Sequence, residues 1–195
     1  MKKILLSIVA ITVFGLANAQ ETLDGNGSGF SKGDFFVSGS VGFSNTKQGD
    51  AKANNFNFSP MMGYFVSENI ALGAELSLGT SKQGDNKSNS LGVAAIGRYY
   101  FTPKNKFSIF GQGRIGYLST KDEVADGGEA KNNGFSIGVG AGMSYFVSNH
   151  FAIEAGLGIL GYQSTKDDVE GAEANNTLQL GIDMTSINIG VVYKF

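Results

Sequence analysis

The chain has 195 residues with 15 Lys+Arg against 17 Asp+Glu, no cysteine, 29 Gly, 2 Pro, 15 Phe and 7 Tyr. A formal charge of −2 disfavours a nucleic-acid partner, and the missing thiols exclude disulfide staples and thiol chemistry. So many aromatics argue against disorder, and the glycines lack the triplet period of collagen, which leaves a proline-poor chain of closely packed strands.

The first element is "MKKILLSIVAITVFGLANAQ". Lys2 and Lys3, an apolar run from Ile4 to Leu16, and Ala17-Asn18-Ala19 form a secretory signal pattern over 1–19, with cleavage after Ala19. The apolar run falls short of the roughly 20 residues that a membrane-anchoring helix needs. Losing Lys2 and Lys3 takes the formal charge from −2 to −4. Residues 20–34 are polar and glycine-rich and read as a flexible leader.

From Phe35 onward a two-residue period takes over. Phe35, Val37, Val41 and Phe43 share one face of the first strand, and Phe56, Phe58, Met62, Tyr64 and Val66 one face of the second. Ile70, Leu72, Leu76 and Leu78 follow, then Leu91, Val93, Tyr99 and Phe101. Phe107, Ile109, Ile115 and Tyr117 mark the fifth strand, and Phe135, Ile137, Val139, Met143, Tyr145 and Val147 the sixth. Phe151, Ile153, Leu157 and Ile159 mark the seventh, and the terminal "INIGVVYKF" belongs to the eighth. Leu178, Leu180 and Ile182 have the opposite parity from Ile187 through Phe195. Either a β-bulge lies near Asp183–Ser186, or the upper part of that strand projects above a bilayer.

Connections alternate in length. "SEN", "TPKNK" and "SNH" are short turns, whereas 45–50, 80–85, 119–130 and 164–174 read as longer polar loops. The loops repeat one another ("NTKQGD", "TSKQGD", "STKDEVADGGEA", "STKDDVEGAEA"), as a hairpin duplicated into a ring would. An even number of up-and-down strands leaves no exposed edge once the sheet closes. The interior of an eight-stranded barrel just fits modest side chains, so the bulky apolar faces must point outward, and the small and polar faces inward. That inversion is the pattern of a transmembrane barrel, and the strands reach the roughly 9–11 residues needed to cross. Aromatics gather near both ends of the strands, as interfacial girdles do, although Trp, usual there, is absent. The fold expected is all-β, an eight-stranded antiparallel up-and-down transmembrane β-barrel over 35–195.

On these features the chain resembles the small eight-stranded outer-membrane barrels of OmpX and the OmpA transmembrane domain. The resemblance covers 35–195 and rests on the signal peptide, the eight alternating strands, the short and long connections, and the terminal "VVYKF". It implies residence in the outer membrane of a Gram-negative bacterium, as a monomer, with short turns periplasmic and long loops extracellular. It also implies that Ile189, Val191, Tyr193 and Phe195 form the C-terminal signal read by the barrel-assembly machinery. OmpA has a further periplasmic peptidoglycan-binding domain, and here the sequence stops at the barrel. The implied surroundings are outer-membrane lipid and lipopolysaccharide.

Five polar residues on the inner faces are the site candidates: Glu75, Arg98, Gln112, Arg114 and Glu154. Unpaired charges in a narrow lumen are costly, so mutual pairing is expected, with Glu75 and Arg98 on neighbouring strands at similar depth. The residues read either as an ion-pair plug or as the selectivity ring of a narrow channel for ions or small solutes; eight strands leave little room for a wide pore. His150 lies in a short turn beside Ser148 without an acid partner, which favours a solvated turn residue over a catalytic base. "GVGAG" (138–142) lies in a strand with no helix after it, so it is no phosphate loop. Acidic positions Asp122, Glu123, Asp126 and Glu129, and Asp167, Asp168, Glu170 and Glu173, lack EF-hand spacing. Bridging by divalent cations to lipopolysaccharide phosphates is the functional alternative to a solvated loop. No cofactor and no catalytic residue is called for. The expectation is a non-enzymatic barrel, plugged by ion pairs, that supports envelope integrity or surface interaction through its loops.

Overall fold

The computed structural model describes residues 28–48, 51–123, 128–169, 171–181 and 187–195. The signal peptide (1–19), leader residues 20–27 and Asp183–Ser186 lie outside the described residues. Among the described residues nine strands follow in chain order: β1 Phe35–Gln48, β2 Ala51–Phe65, β3 Ile70–Gln83, β4 Asn86–Tyr100, β5 Phe107–Glu123, β6 Glu129–Phe146, β7 Phe151–Asp167, β8 Ala174–Leu180 and β9 Asn188–Lys194. Each neighbour pair from β1–β2 to β6–β7 is antiparallel. β8 pairs with the upper part of β7 and β9 with its lower part, so the two are lengths of one stave. β9 then pairs with β1 from Phe36↔Lys194 to Val41↔Ile189, which closes an eight-stranded up-and-down barrel.

The wall is apolar on its outside. Tyr64, Leu72, Val93, Ile115, Ile137 and Ile153 all stand exposed, one from each of six consecutive strands. A continuous greasy surface of this extent needs hydrocarbon rather than water against it.

Three features depart from the sequence reading. Of the polar stretches, 45–48, 80–83, 119–123, 129–130 and 164–167 are strand, not loop, with ladders to Gln48↔Ala51, Gln83↔Asn86 and Glu123↔Glu129, whereas 168–169 and 171–173 are not strand. Above the hydrocarbon both faces of a strand meet water, so no apolar alternation marks it. The hairpins therefore project as ribbons.

The parity change in the last stave has its counterpart in β7. Gly140 pairs with Gly158 and Val139 with Leu160, so Ile159 is an extra residue in a bulge. Below it the odd residues of β7 face out; above it the even ones do, Leu160 and Tyr162 aligning with Leu180 and Leu178. Gly181 donates its N–H to the carbonyl of Ile159 (2.9 Å). Ile159 is thus the bulge residue and not one of the regular lipid-facing positions.

The interior is not uniformly small and polar. Towards the short turns it is packed with Phe36, Phe65, Tyr100, Phe110 and Phe146, all nearly or wholly buried. Glycines opposite make the room: a Cβ on Gly63 would strike the Phe36 ring, and one on Gly142 the Phe110 ring.

Candidate functional site

The lumen is built in layers from the short-turn end upward. Its floor is Phe30, from the segment expected to belong to a flexible leader. Phe30 is fully buried, with ring centroids 4.7 Å from Phe65, 4.8 Å from Phe146, 5.2 Å from Tyr100 and 5.4 Å from Phe36. Gly29 before it adopts φ 108°, which a side chain resists, and a Cβ there would strike the Pro103 and Lys104 backbone. Phe30 N–H donates to the Pro103 carbonyl (2.7 Å), and Gly33 N–H to that of Phe65 (2.9 Å). Lys194 donates from Nζ to the Gly29 carbonyl (2.7 Å) and stands 3.7 Å from Asp34, tying the strap to the last strand. Residues 29–34 are docked.

Above the floor lies the first ion pair. Arg98 on β4 reaches across the lumen to Glu154 on β7, Nη1 to Oε2 3.0 Å, with both side chains under 10% exposed (9% and 8%). Nη1 also donates to the Tyr100 hydroxyl (3.1 Å), and Nε to Oε1 of Gln112 (2.7 Å). The guanidinium lies 4.4 Å from the centroid of the Phe110 ring, a cation–π contact. A second pair follows: Arg114 Nε donates to Glu75 Oε1 (3.1 Å), while its Nη1 reaches Ser136 (2.9 Å) and its Nη2 Ser77 (3.3 Å). Each guanidinium has several oxygens around it, the condition under which a charge is tolerated away from bulk water.

Pairing differs from the expected one. Arg98 stands in register with Ala71, four residues below Glu75, so these two are not at one depth. Arg98 finds Glu154, and Glu75 finds Arg114. Sequence reasoning located all five candidates on the inner faces but missed Tyr100, Phe110 and Phe30. The available signals were the tandem Tyr99-Tyr100, whose second ring must face inward, and Phe30 as the single aromatic of residues 20–34. A cavity of about 820 Å³ extends from the Arg98–Glu154 pair up to Gln163 and Thr177, past Ser38 and Ser136.

Other candidates fall outside this lumen. His150 sits by the Lys194 carbonyl (Nδ1 to O 2.8 Å) and stacks near Tyr193. The Ser148 hydroxyl accepts from the backbone N–H of Phe151 (3.0 Å), so it caps the turn. Among the acidic positions, Glu129 pairs with Lys121 (2.7 Å) and Asp168 approaches Lys131 (3.7 Å). Asp126 and Glu170 lie outside the described residues. At the C-terminus Ile189, Val191 and Phe195 are exposed on the outer wall. Tyr193 packs 4.9 Å from both Phe151 and Phe195, and Phe195 N–H donates to Phe35 O (3.0 Å) across the closing seam.

A closed antiparallel ring with bulky apolar residues outside, aromatics near its ends and a polar upper lumen defines an integral β-barrel of a membrane. Residues 6–195 match the model of the outer membrane protein beta-barrel domain, and the chain belongs to that family, whose members are outer-membrane barrels. No curated protein matches it. Among solved structures it resembles Neisserial surface protein A, at 16% identity and TM-score 0.57, over 83% of this chain and 97% of that one. It also resembles the N-terminal barrel of Pseudomonas aeruginosa OprF (16%, TM-score 0.53, 85% and 100%) and E. coli outer membrane protein W (12%, TM-score 0.52, 85% and 99%). At such identities the likeness concerns the fold.

Proposed function

We propose that this chain is a non-enzymatic outer-membrane barrel with a closed lumen, whose projecting hairpins support envelope integrity or surface interaction. The observation that carries this reading is the stacked stopper: Phe30 fully buried in the short-turn mouth, with the buried Arg98–Glu154 pair above it. Ions crossing such a lumen must displace an aromatic cluster and break a desolvated ion pair, and each step is costly. The short turns lie on the periplasmic side, and the ribbons outside the cell, in this proposal. Planar-bilayer recording tests closure: the protein stays silent, whereas stable openings abolished by Glu75 or Arg98 substitution overturn it. Protease shaving of whole cells tests the orientation, with cleavage expected in the β5–β6 and β7–β8 hairpins.

The cavity of about 820 Å³ above the charges favours a second reading, a narrow path for ions or small solutes. That path needs the Phe30 strap to leave the mouth, so Phe30→Ala raises conductance if it exists.

A further inference from the structure

The projecting hairpins carry a repeated set of rungs. In β1–β2 the outward rungs run Phe43–Phe56, then Asn45–Asn54, then Lys52, which is in register with position 47, also a lysine. In β3–β4 they run Leu78–Leu91, Thr80–Asn89, then Lys82–Lys87. In β5–β6 they run Tyr117–Phe135, Ser119–Asn133, then Lys121–Lys131. β7 continues with Tyr162, Ser164 and Lys166, and only β8 breaks the series, with Ala174 at the lysine rung. Every strand from β1 to β7 thus has a lysine four residues beyond its last bulky apolar position, with an Asn, Ser or Thr between.

The parity places Lys52, Lys82, Lys87, Lys121, Lys131 and Lys166 on the lipid-facing side of the ribbons, and all six are exposed. Cross-strand contacts of the middle rungs, Thr80 Oγ1 to Asn89 Oδ1 (3.3 Å) and Tyr162 OH to Asn176 Oδ1 (3.0 Å), keep the same face. Four residues of a tilted strand climb roughly 10 Å, and a headgroup layer is roughly 5–8 Å deep. Lysine stems bend back over that difference.

Like charges directly opposite each other destabilise a sheet. On β5–β6 the cost is met within the chain, since Lys121 holds Glu129 and Lys131 approaches Asp168. On β1–β4 it is not: among the described residues Lys52, Lys82 and Lys87 are in no ion pair. The compensating anion must come from outside, at headgroup height, beside the wall.

We infer that the lysines of the β1–β2 and β3–β4 ribbons form a binding surface for the phosphate groups of lipids surrounding the barrel. The Asn, Ser and Thr rung beneath them offers hydrogen bonds to the glycerol or sugar part of the same headgroup. This inference rests on the membrane placement of the wall and not on the closure of the lumen.

The test uses the refolded barrel in phosphatidylcholine vesicles containing spin-labelled phosphatidic acid or spin-labelled phosphatidylcholine. Wild type retains phosphatidic acid in its motionally restricted shell in preference to phosphatidylcholine. K52Q/K82Q/K87Q lowers that preference roughly fivefold or more, and K52R/K82R/K87R keeps it. Heat-modifiable gel mobility verifies that each variant is folded. A wild-type barrel without preference overturns the inference, and so does a preference that survives the glutamine variant. If the variant instead loses only its hold on a soluble sulfated polysaccharide, the lysines serve a soluble polyanion and the lipid assignment fails.

Discussion

Arg98 is the residue on which the lumen turns. Its guanidinium is held by Glu154, Gln112 and Tyr100 and lies over Phe110, so removing either charge leaves the other buried without compensation. Arg98→Ala or Glu154→Gln is expected to cost about 3–5 kcal/mol, read as urea-induced unfolding in vesicles. The pairing also makes a prediction that the alternative partner would not. In double-mutant cycles Arg98 and Glu154 couple by about 0.5–3 kcal/mol, whereas Arg98 and Glu75 add to within about 0.5 kcal/mol. An apolar replacement of both members, Arg98→Met with Glu154→Leu, recovers much of either single loss. Phe30 acts at the same scale: Phe30→Ala costs about 3–5 kcal/mol if the strap folds with the barrel.

At the scale of elements, β7 and the last stave depend on each other. The opposite parities of Leu178–Leu180 and Ile187–Phe195 are visible in the sequence, and they require a shift of one residue somewhere. The matching irregularity in the neighbouring strand is hard to read, because its extra residue, Ile159, continues the apolar alternation below it. The structure shows a matching extra residue in β7, Ile159, next to Gly181, while Asp183–Ser186 lie outside the described residues. Deleting Ile159 removes the bulge and leaves Leu157 out, Gly158 in and Leu160 out, so the strand alternates regularly and Leu160 and Tyr162 keep their lipid face. The deletion is therefore expected to keep heat-modifiable folding, as is Ile159→Ala, and loss of folding on deletion alone would show that the last stave needs the bulge opposite it. The same reasoning explains what was legible elsewhere. Alternation marks a strand only where its faces meet different solvents, so the membrane-spanning parts are readable, whereas the strand ends 45–48, 80–83, 119–123 and 164–167 look like loop. The candidate site was legible by parity alone, which gives the face of Glu75, Arg98, Gln112, Arg114 and Glu154. Partnership was not, because it depends on register between strands up to three places apart.

For the whole molecule the decisive question is how the two ends of the chain close the ring. β9 binds β1 through six register pairs, and the Phe195 N–H adds a further bond to Phe35 O, with the two rings 5.5 Å apart. Phe195 is otherwise largely exposed on the wall, 63% of its surface facing the lipid side. Its removal thus takes away one hydrogen bond and two aromatic contacts, with Phe35 and Tyr193, while Phe151–Tyr193 and the whole β9 ladder remain. Such a loss is modest beside a buried core truncation, about 1–2 kcal/mol, and refolding in detergent micelles is expected to proceed with nearly full yield. If an assembly machine recognises the terminal "VVYKF", as the resemblance implies, it would read the side chain before the seam exists. Deleting Phe195 should then lower the amount of folded barrel in outer-membrane fractions far more than it lowers the refolding yield. Equal losses in both measurements would assign Phe195 to the seam alone.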